Sequence, residues 1–258
     1  MKIFDSHAHY DDAKFDEDRE SVLENIYDAG VEKVVSAGYS LESSYESIKL
    51  SEKYEFIYST CGISPNDIPD TVEKLQEQIL ELECLVKQNK KVVAIGEIGL
   101  DYYWNKENKE LQKKAFIMQI ELANKYNLPI VIHTREAIQD TIDVLKNVEL
   151  PEKKGVFHCC PLNIELVKQA LKLGFYISFA GPVTFKNSKN ANDIIDIVPL
   201  DKMLIETDSP YLSPEPKRGT RNTSANLVYI INKIATQKEL SPEEVANITY
   251  DNAKKIFL

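Results

Sequence analysis

A chain of 258 residues with 43% apolar and 28% charged side chains has the material for a sizeable core, as one large domain or two modest ones. A formal net charge of −10 argues against a broad cationic surface that grips nucleic acid by counterion release. It leaves room for a nucleic-acid substrate whose charge is met locally by bound metal ions.

No segment reaches the ~20 uninterrupted apolar residues of a membrane helix. The opening "MKIFDSH" shows no apolar leader, which sets a cytoplasmic location as the expectation. The four cysteines include no C-x-x-C spacing and read as reduced thiols. No segment marks an obligate protein partner.

In chain order, short apolar runs alternate with stretches of helical period. "KIFDS", "KVVSAG" and "FIYSTCG" are the first three candidate strands. A helix follows on Val72, Leu75, Ile79, Leu82 and Val86, with Asp70 and Glu73 expected to cap its start. "KVVAIGE" is the fourth strand, and the helix after it is expected to bury Leu111, Ala115, Met118 and Leu122. "PIVIH", "GVFH", "FYISF" and "KMLIETD" complete the strands. Gly30 and Gly174 each close a helix where a left-handed cap is expected. The tail brings two more helical patterns, the last opening on Ser241, Pro242 and Glu244 as a capping box.

Eight such βα units predict a single-domain (β/α)8 TIM barrel, regular or distorted, over residues 1–258, since such barrels need about 250 residues. A doubly wound sheet is disfavoured, because no glycine-rich phosphate loop follows the first strand.

Residues two apart on a strand point the same way, so Asp5, His7 and His9 leave the first strand on one side. An H-x-H pair alone is weak evidence for a metal. His133 and His158, however, end the fifth and sixth strands, while Glu97 and Asp208 follow the fourth and eighth. All six side chains fall at strand C-termini, the face on which barrel enzymes build their sites. Six ligands exceed one tetrahedral zinc and suit two divalent ions. The expected arrangement puts His7, His9 and Asp208 on the first ion, His133 and His158 on the second, and Glu97 between them. Imidazole with carboxylate suits zinc, manganese and similar ions, whereas magnesium prefers oxygen alone. A water held by the pair would be the nucleophile, and Asp208, with Glu97, is a catalytic candidate as the group that takes its proton.

Five separate motifs resemble the TatD family of metal-dependent deoxyribonucleases, almost end to end. They are "DSHAHYD", "GEIGLDYYW", "VIHTREA", "FHC" and "ETDSPYLSPEPKRGTRN". The resemblance implies a TIM barrel that hydrolyses DNA phosphodiesters, often from the 3′ end, with a divalent metal centre and His7, His9, Glu97, His133, His158 and Asp208 as its ligands. Three places depart from the family pattern. "CGISPND" has Ser64 where the family usually has histidine, "HCCPLN" replaces the usual fourth-motif continuation, and "RNTSAN" replaces the usual final ending. None removes a ligand; all bear on substrate preference.

Arg135, two residues past His133, is placed to fork onto a phosphate. Lys217, Arg218 and Arg221 form a basic cluster in the loop after Asp208. Tyr102, Tyr103 and Trp104 offer aromatics for stacking a base, which suits a single-stranded DNA end, or for packing that loop, and Ser64 offers a hydroxyl. Glu206 alternates with Asp208 as a possible partner for the site, and Cys160 reads as an inert thiol. Two other functions compete. One is hydrolysis of an ester, an aminoacyl ester or a cyclic amide on the same metals; the bridging lysine typical of many amide-cleaving barrels is missing from the strand-four tip, where Glu97 stands. The other is a metal-binding barrel without catalysis.

Overall fold

The apolar runs become strands and the periodic stretches become helices throughout residues 1–258 of this computed structural model. The strands are β1 Ile3–Ala8, β2 Val31–Ser36, β3 Ile57–Cys61, β4 Val92–Asp101, β5 Ile130–Arg135, β6 Gly155–Phe157, β7 Tyr176–Phe179 and β8 Met203–Ile205. The helices are α1 Arg19–Asp28, α2 Leu41–Lys53, α3 Val72–Gln88, α4 Lys109–Tyr126, α5 Ile138–Asn147, α6 Ile164–Lys172, α7 Ala191–Ile197, α8 Leu227–Lys238 and α9 Pro242–Phe257. The strands neighbour one another in sequence order from β1 to β8, which is the (β/α)8 fold expected from the alternation. β1 and β4 are buried at every position, as strands covered on both faces must be. No helix is long and apolar enough to cross a membrane.

Backbone contacts divide the chain into two units. The first comprises Met1–Ser36 and His158–Ile256. Here β1 runs parallel to β2 (Ile3 opposite Val31, Ala8 opposite Ser36), and β7 runs parallel to β8 (Ile177 opposite Met203). The backbone beyond β8 then bonds back to β1: Asp208 N–H donates to the His7 carbonyl (2.9 Å) and His9 N–H to that of Ser209 (2.7 Å). Gly30 and Gly174 close α1 and α6 at φ +95° and +93°, as expected of left-handed caps. Ser241 and Glu244 make the reciprocal capping box of α9, with Pro242 in its first turn.

The second unit comprises Ala37–Phe157, where β3, β4, β5 and β6 pair in parallel. β4 continues past Glu97, where the sequence reading ended it, because Gly99 and Asp101 pair with His133 and Arg135 of β5. Only glycine permits this approach: Gly99 sits at φ +141°, and a Cβ there would fall 2.0 Å from the His133 carbonyl oxygen.

Two other local readings are corrected here. The cap of α3 is Thr71, whose hydroxyl accepts from Lys74 N–H, rather than Asp70. The buried face of α4 is Gln112, Ala115, Phe116, Gln119, Ile120 and Ala123, with Leu122 beside it, whereas Leu111 and Met118 are only half-buried. The glutamines go inside because they hold backbone. Gln112 Oε1 accepts from Asp101 N–H (2.9 Å), and Gln119 takes both the N–H and the carbonyl of Ile63.

Candidate metal centre

In the first unit, His7 of β1 and His9, just beyond its end, bring two imidazoles to one point. His7 Nε2 lies 3.2 Å from His9 Nε2; Asp208 Oδ1 lies 3.2 Å from the latter and 3.6 Å from the former. Tetrahedral coordination at ordinary zinc–nitrogen and zinc–oxygen lengths separates neighbouring ligand atoms by about 3.3 Å. The donor set and its spacing therefore fit one divalent ion. Burial works against the Asp208 charge, yet the hydrogen bond from His9 and the nearby His9, His158 and His7 rings hold its carboxyl below the ordinary range.

Asp208 reaches this point because the backbone there is fixed twice. Its own φ is +57°, a left-handed conformation that aspartate tolerates better than most residues. Its neighbours are tied to Asp5, which the sequence reading placed facing the mouth with the histidines. Asp5 is instead wholly buried: its carboxylate accepts from Thr207 N–H (3.0 Å), Thr207 Oγ1 (2.6 Å) and Ser224 Oγ (2.6 Å). Burial outweighs these bonds and lifts the Asp5 pKa to about 7. Tyr10 and Ser224 extend the network, and Asn222 Nδ2 donates to the carbonyls of Thr207 and Tyr211.

His158 stacks on His7 with ring centroids 4.0 Å apart and planes 18° from parallel. Its Nδ1 lies 3.3 Å from Glu206 Oε1, and that oxygen accepts from Cys159 N–H (2.6 Å). Glu206 is fully buried, so it turns inward as the alternation with Asp208 suggested, and its place is behind His158. Cys160 is buried, with its thiol pKa pushed up by burial and by the Glu206 charge, an inert thiol.

In the second unit, β4 and β5 bring Glu97 and His133 together, with His133 Nδ1 3.0 Å from Glu97 Oε1. The other ring nitrogen, Nε2, lies 2.9 Å from Asp101 Oδ2. Asp101 therefore fixes the ring while Nδ1 faces Glu97, the carboxylate–histidine arrangement that orients metal ligands. Burial raises the Asp101 pKa, but the His133 hydrogen bond and charge, with the N–H groups of Trp104 and Tyr103, overcome it and hold the group ionised. Asp101 was missed from sequence. It shares the parity of Glu97 and Gly99 along β4, which is the signal that would have found it. Lys91, at the opposite end of β4, spends its ammonium on the carbonyls of Ser51, Tyr54, Glu55 and Ile57.

Of the expected substrate contacts, Tyr102 is corrected: it is 5% exposed and its hydroxyl donates to Asp140 (2.7 Å), so it packs its loop onto α5. Ser64 is also buried and donates to Asp67 (2.6 Å) within its own turn. Arg221 forks onto Asp18 at 2.8 and 2.5 Å, an ion pair. Arg218 lies over the Phe185 ring, 4.3 Å from its centroid. Arg135 lies over Tyr103 and reaches Trp104, both exposed.

The family described as TatD related DNase matches residues 4–258. The chain belongs to the TatD family. It is 41% identical over 255 residues to YabD of Bacillus subtilis, an uncharacterized metal-dependent hydrolase, covering 99% of this chain and 98% of that one. To YcfH of Escherichia coli K12, similarly described, it is 35% identical over 263 residues, covering 100% and 96%. Among solved structures, the TatD homolog YJJV of Escherichia coli K12 superposes with a TM-score of 0.91 at 26% identity, covering 99% and 97%. This TatD member is thus a metal-dependent hydrolase with a (β/α)8 fold.

Proposed function

We propose that this TatD-family hydrolase cleaves phosphodiester bonds in DNA, working inward from the 3′ end of single strands. The observation that carries the reading is the convergence of His7 Nε2, His9 Nε2 and Asp208 Oδ1 in a chain that the family matches over residues 4–258. These three residues would hold one divalent ion; His158 in the first unit, and Glu97 with His133 in the second, are further candidate ligands. Such ions, when bound, acidify a water and polarise a phosphoryl oxygen. The protein's own groups do the rest. Asp208 is the group placed to take the water's proton. Asp101 and Glu206 keep the His133 and His158 rings in register. Arg135 supplies a fork of N–H donors for a phosphate oxygen.

The test uses oligonucleotides labelled at either end, with protein stripped of metal and resupplied with magnesium, manganese or zinc. A Glu97→Ala protein runs in parallel. A ladder growing from the 3′ end, dependent on metal and absent with Glu97→Ala, is the expected result. Intact DNA with folded, metal-loaded protein overturns the reading and directs the search to esters and amides.

A further inference from the structure

A tryptophan on a surface needs a reason, and the only one in this chain, Trp104, is 68% exposed. Beside it Tyr103 is 45% exposed, whereas Tyr102, one residue earlier, is buried against α5. The two exposed rings meet edge to face, centroids 4.8 Å apart and planes at 87°. The Arg135 guanidinium lies 3.7 Å over the Tyr103 ring and 5.6 Å from that of Trp104. This assembly is fixed from beneath. Asp101 Oδ1 accepts the N–H groups of both Tyr103 (2.9 Å) and Trp104 (3.2 Å), and Tyr102 N–H donates to the Arg135 carbonyl (2.9 Å). The other oxygen of the same Asp101 holds His133. One carboxylate thus ties two exposed aromatics, and through β5 a cation, to a metal-centre histidine.

We propose that Tyr103, Trp104 and Arg135 form a platform that stacks one unpaired nucleobase of the substrate, with Arg135 on its adjoining phosphate. This inference rests on the DNA-hydrolysis reading for its choice of ligand. A flat π-face beside a fixed cation suits a base carrying a phosphate, and it is reached by an unpaired base far more readily than by one inside a duplex. Arg135 also sets a positive charge here on a chain whose net charge is −10. The requirement for an unpaired base makes single-stranded ends the substrate this site retains.

Trp104, as the sole tryptophan, reports on its own site. Metal-stripped protein held in chelator is titrated with a single-stranded decanucleotide, with an abasic strand of the same length, and with a blunt duplex. Saturable quenching of Trp104 emission by the single strand is expected, with roughly tenfold weaker binding of the abasic strand, the scale of losing one base–aromatic stack. By anisotropy of labelled strands, Trp104→Ala is expected to lose that tenfold on the normal strand and nothing on the abasic one, while Trp104→Phe restores most of it. Equal losses on both strands, or none, overturn the platform. Cleavage assayed separately keeps the two proposals apart. DNA cut by wild type with Trp104→Ala affinity unchanged sinks the platform alone; base-selective quenching in a protein that leaves DNA intact sinks the hydrolysis reading alone.

Discussion

Asp101 does two jobs with two oxygens, and each is open to substitution. Its Oδ2 fixes His133 Nε2, while Oδ1 gathers the N–H groups of Tyr103 and Trp104. Asparagine keeps the volume but has only one acceptor, so Asp101→Asn must abandon one of these partners. Calorimetric titration of stripped protein with manganese is expected to show the His133 ion bound roughly 10- to 100-fold more weakly, with the His7–His9–Asp208 ion little changed. Two unaltered binding steps would remove Asp101 from the metal centre. The His7, His9 and Asp208 positions were legible from residue parity and strand tips alone, because ligand chemistry and strand period are both local properties. Asp5 was misplaced for a related reason: parity tells which side a residue faces, but not that Thr207 and Ser224 cover it. Tyr102 was assigned to the rim because the sequence reading ended β4 at Glu97. With the strand continued to Asp101, Tyr102 takes the opposite parity and turns toward α5.

Between elements, the clasp of α3 onto α4 centres on Glu83. Its carboxylate accepts from Lys87 Nζ (2.7 Å), Tyr126 Oη (2.6 Å) and Lys125 Nζ (2.9 Å). The hydrogen bonds from Lys87, Tyr126 and Lys125, in that order, lower the Glu83 pKa from 4.5 to about 2. A carboxyl depressed in the folded state adds stability above its unfolded pKa, and that contribution drains away as pH falls from about 4.5 toward 2. Glu83→Gln is therefore expected to be less stable than wild type at neutral pH and to converge on it as pH falls through that window, in urea unfolding at successive pH values. Parallel stability curves would show that the clasp carries no linkage. Added salt should narrow the neutral-pH difference, since these groups lie near the surface. Helix ends were readable where the signal is short-range, as in the Ser241–Glu244 box. The face of α4 was misjudged because apolar periodicity overlooks a buried glutamine, and Gln112 and Gln119 are inside to satisfy backbone that belongs to other elements.

For the molecule as a whole, a metal that binds only the folded chain raises its stability by mass action. At a hundredfold excess over Kd the gain is about 2.7 kcal/mol, which for a chain of this size corresponds to roughly 5–10 °C in melting temperature. Scanning calorimetry of stripped protein, with and without manganese, is expected to show that rise, and His9→Ala to lose much of it; coincident melting curves would argue against metal held at this site. The fold itself was legible from eight repeats of one pattern, since βα alternation in a chain of about this length has few other solutions. The backbone bonds between the start of the chain and the segment beyond β8 have a consequence for the order of events during synthesis. Asp5 and Thr207 are 202 residues apart in the chain, and Ser224 is 219 from Asp5. On the ribosome, His7 and His9 therefore emerge some two hundred residues ahead of the partners that complete their site. A nascent polypeptide thus displays an H-x-H pair and no finished cage, so full metal occupancy, and any activity that depends on it, is withheld until Asp208 and the Thr207 and Ser224 groups behind it have been made.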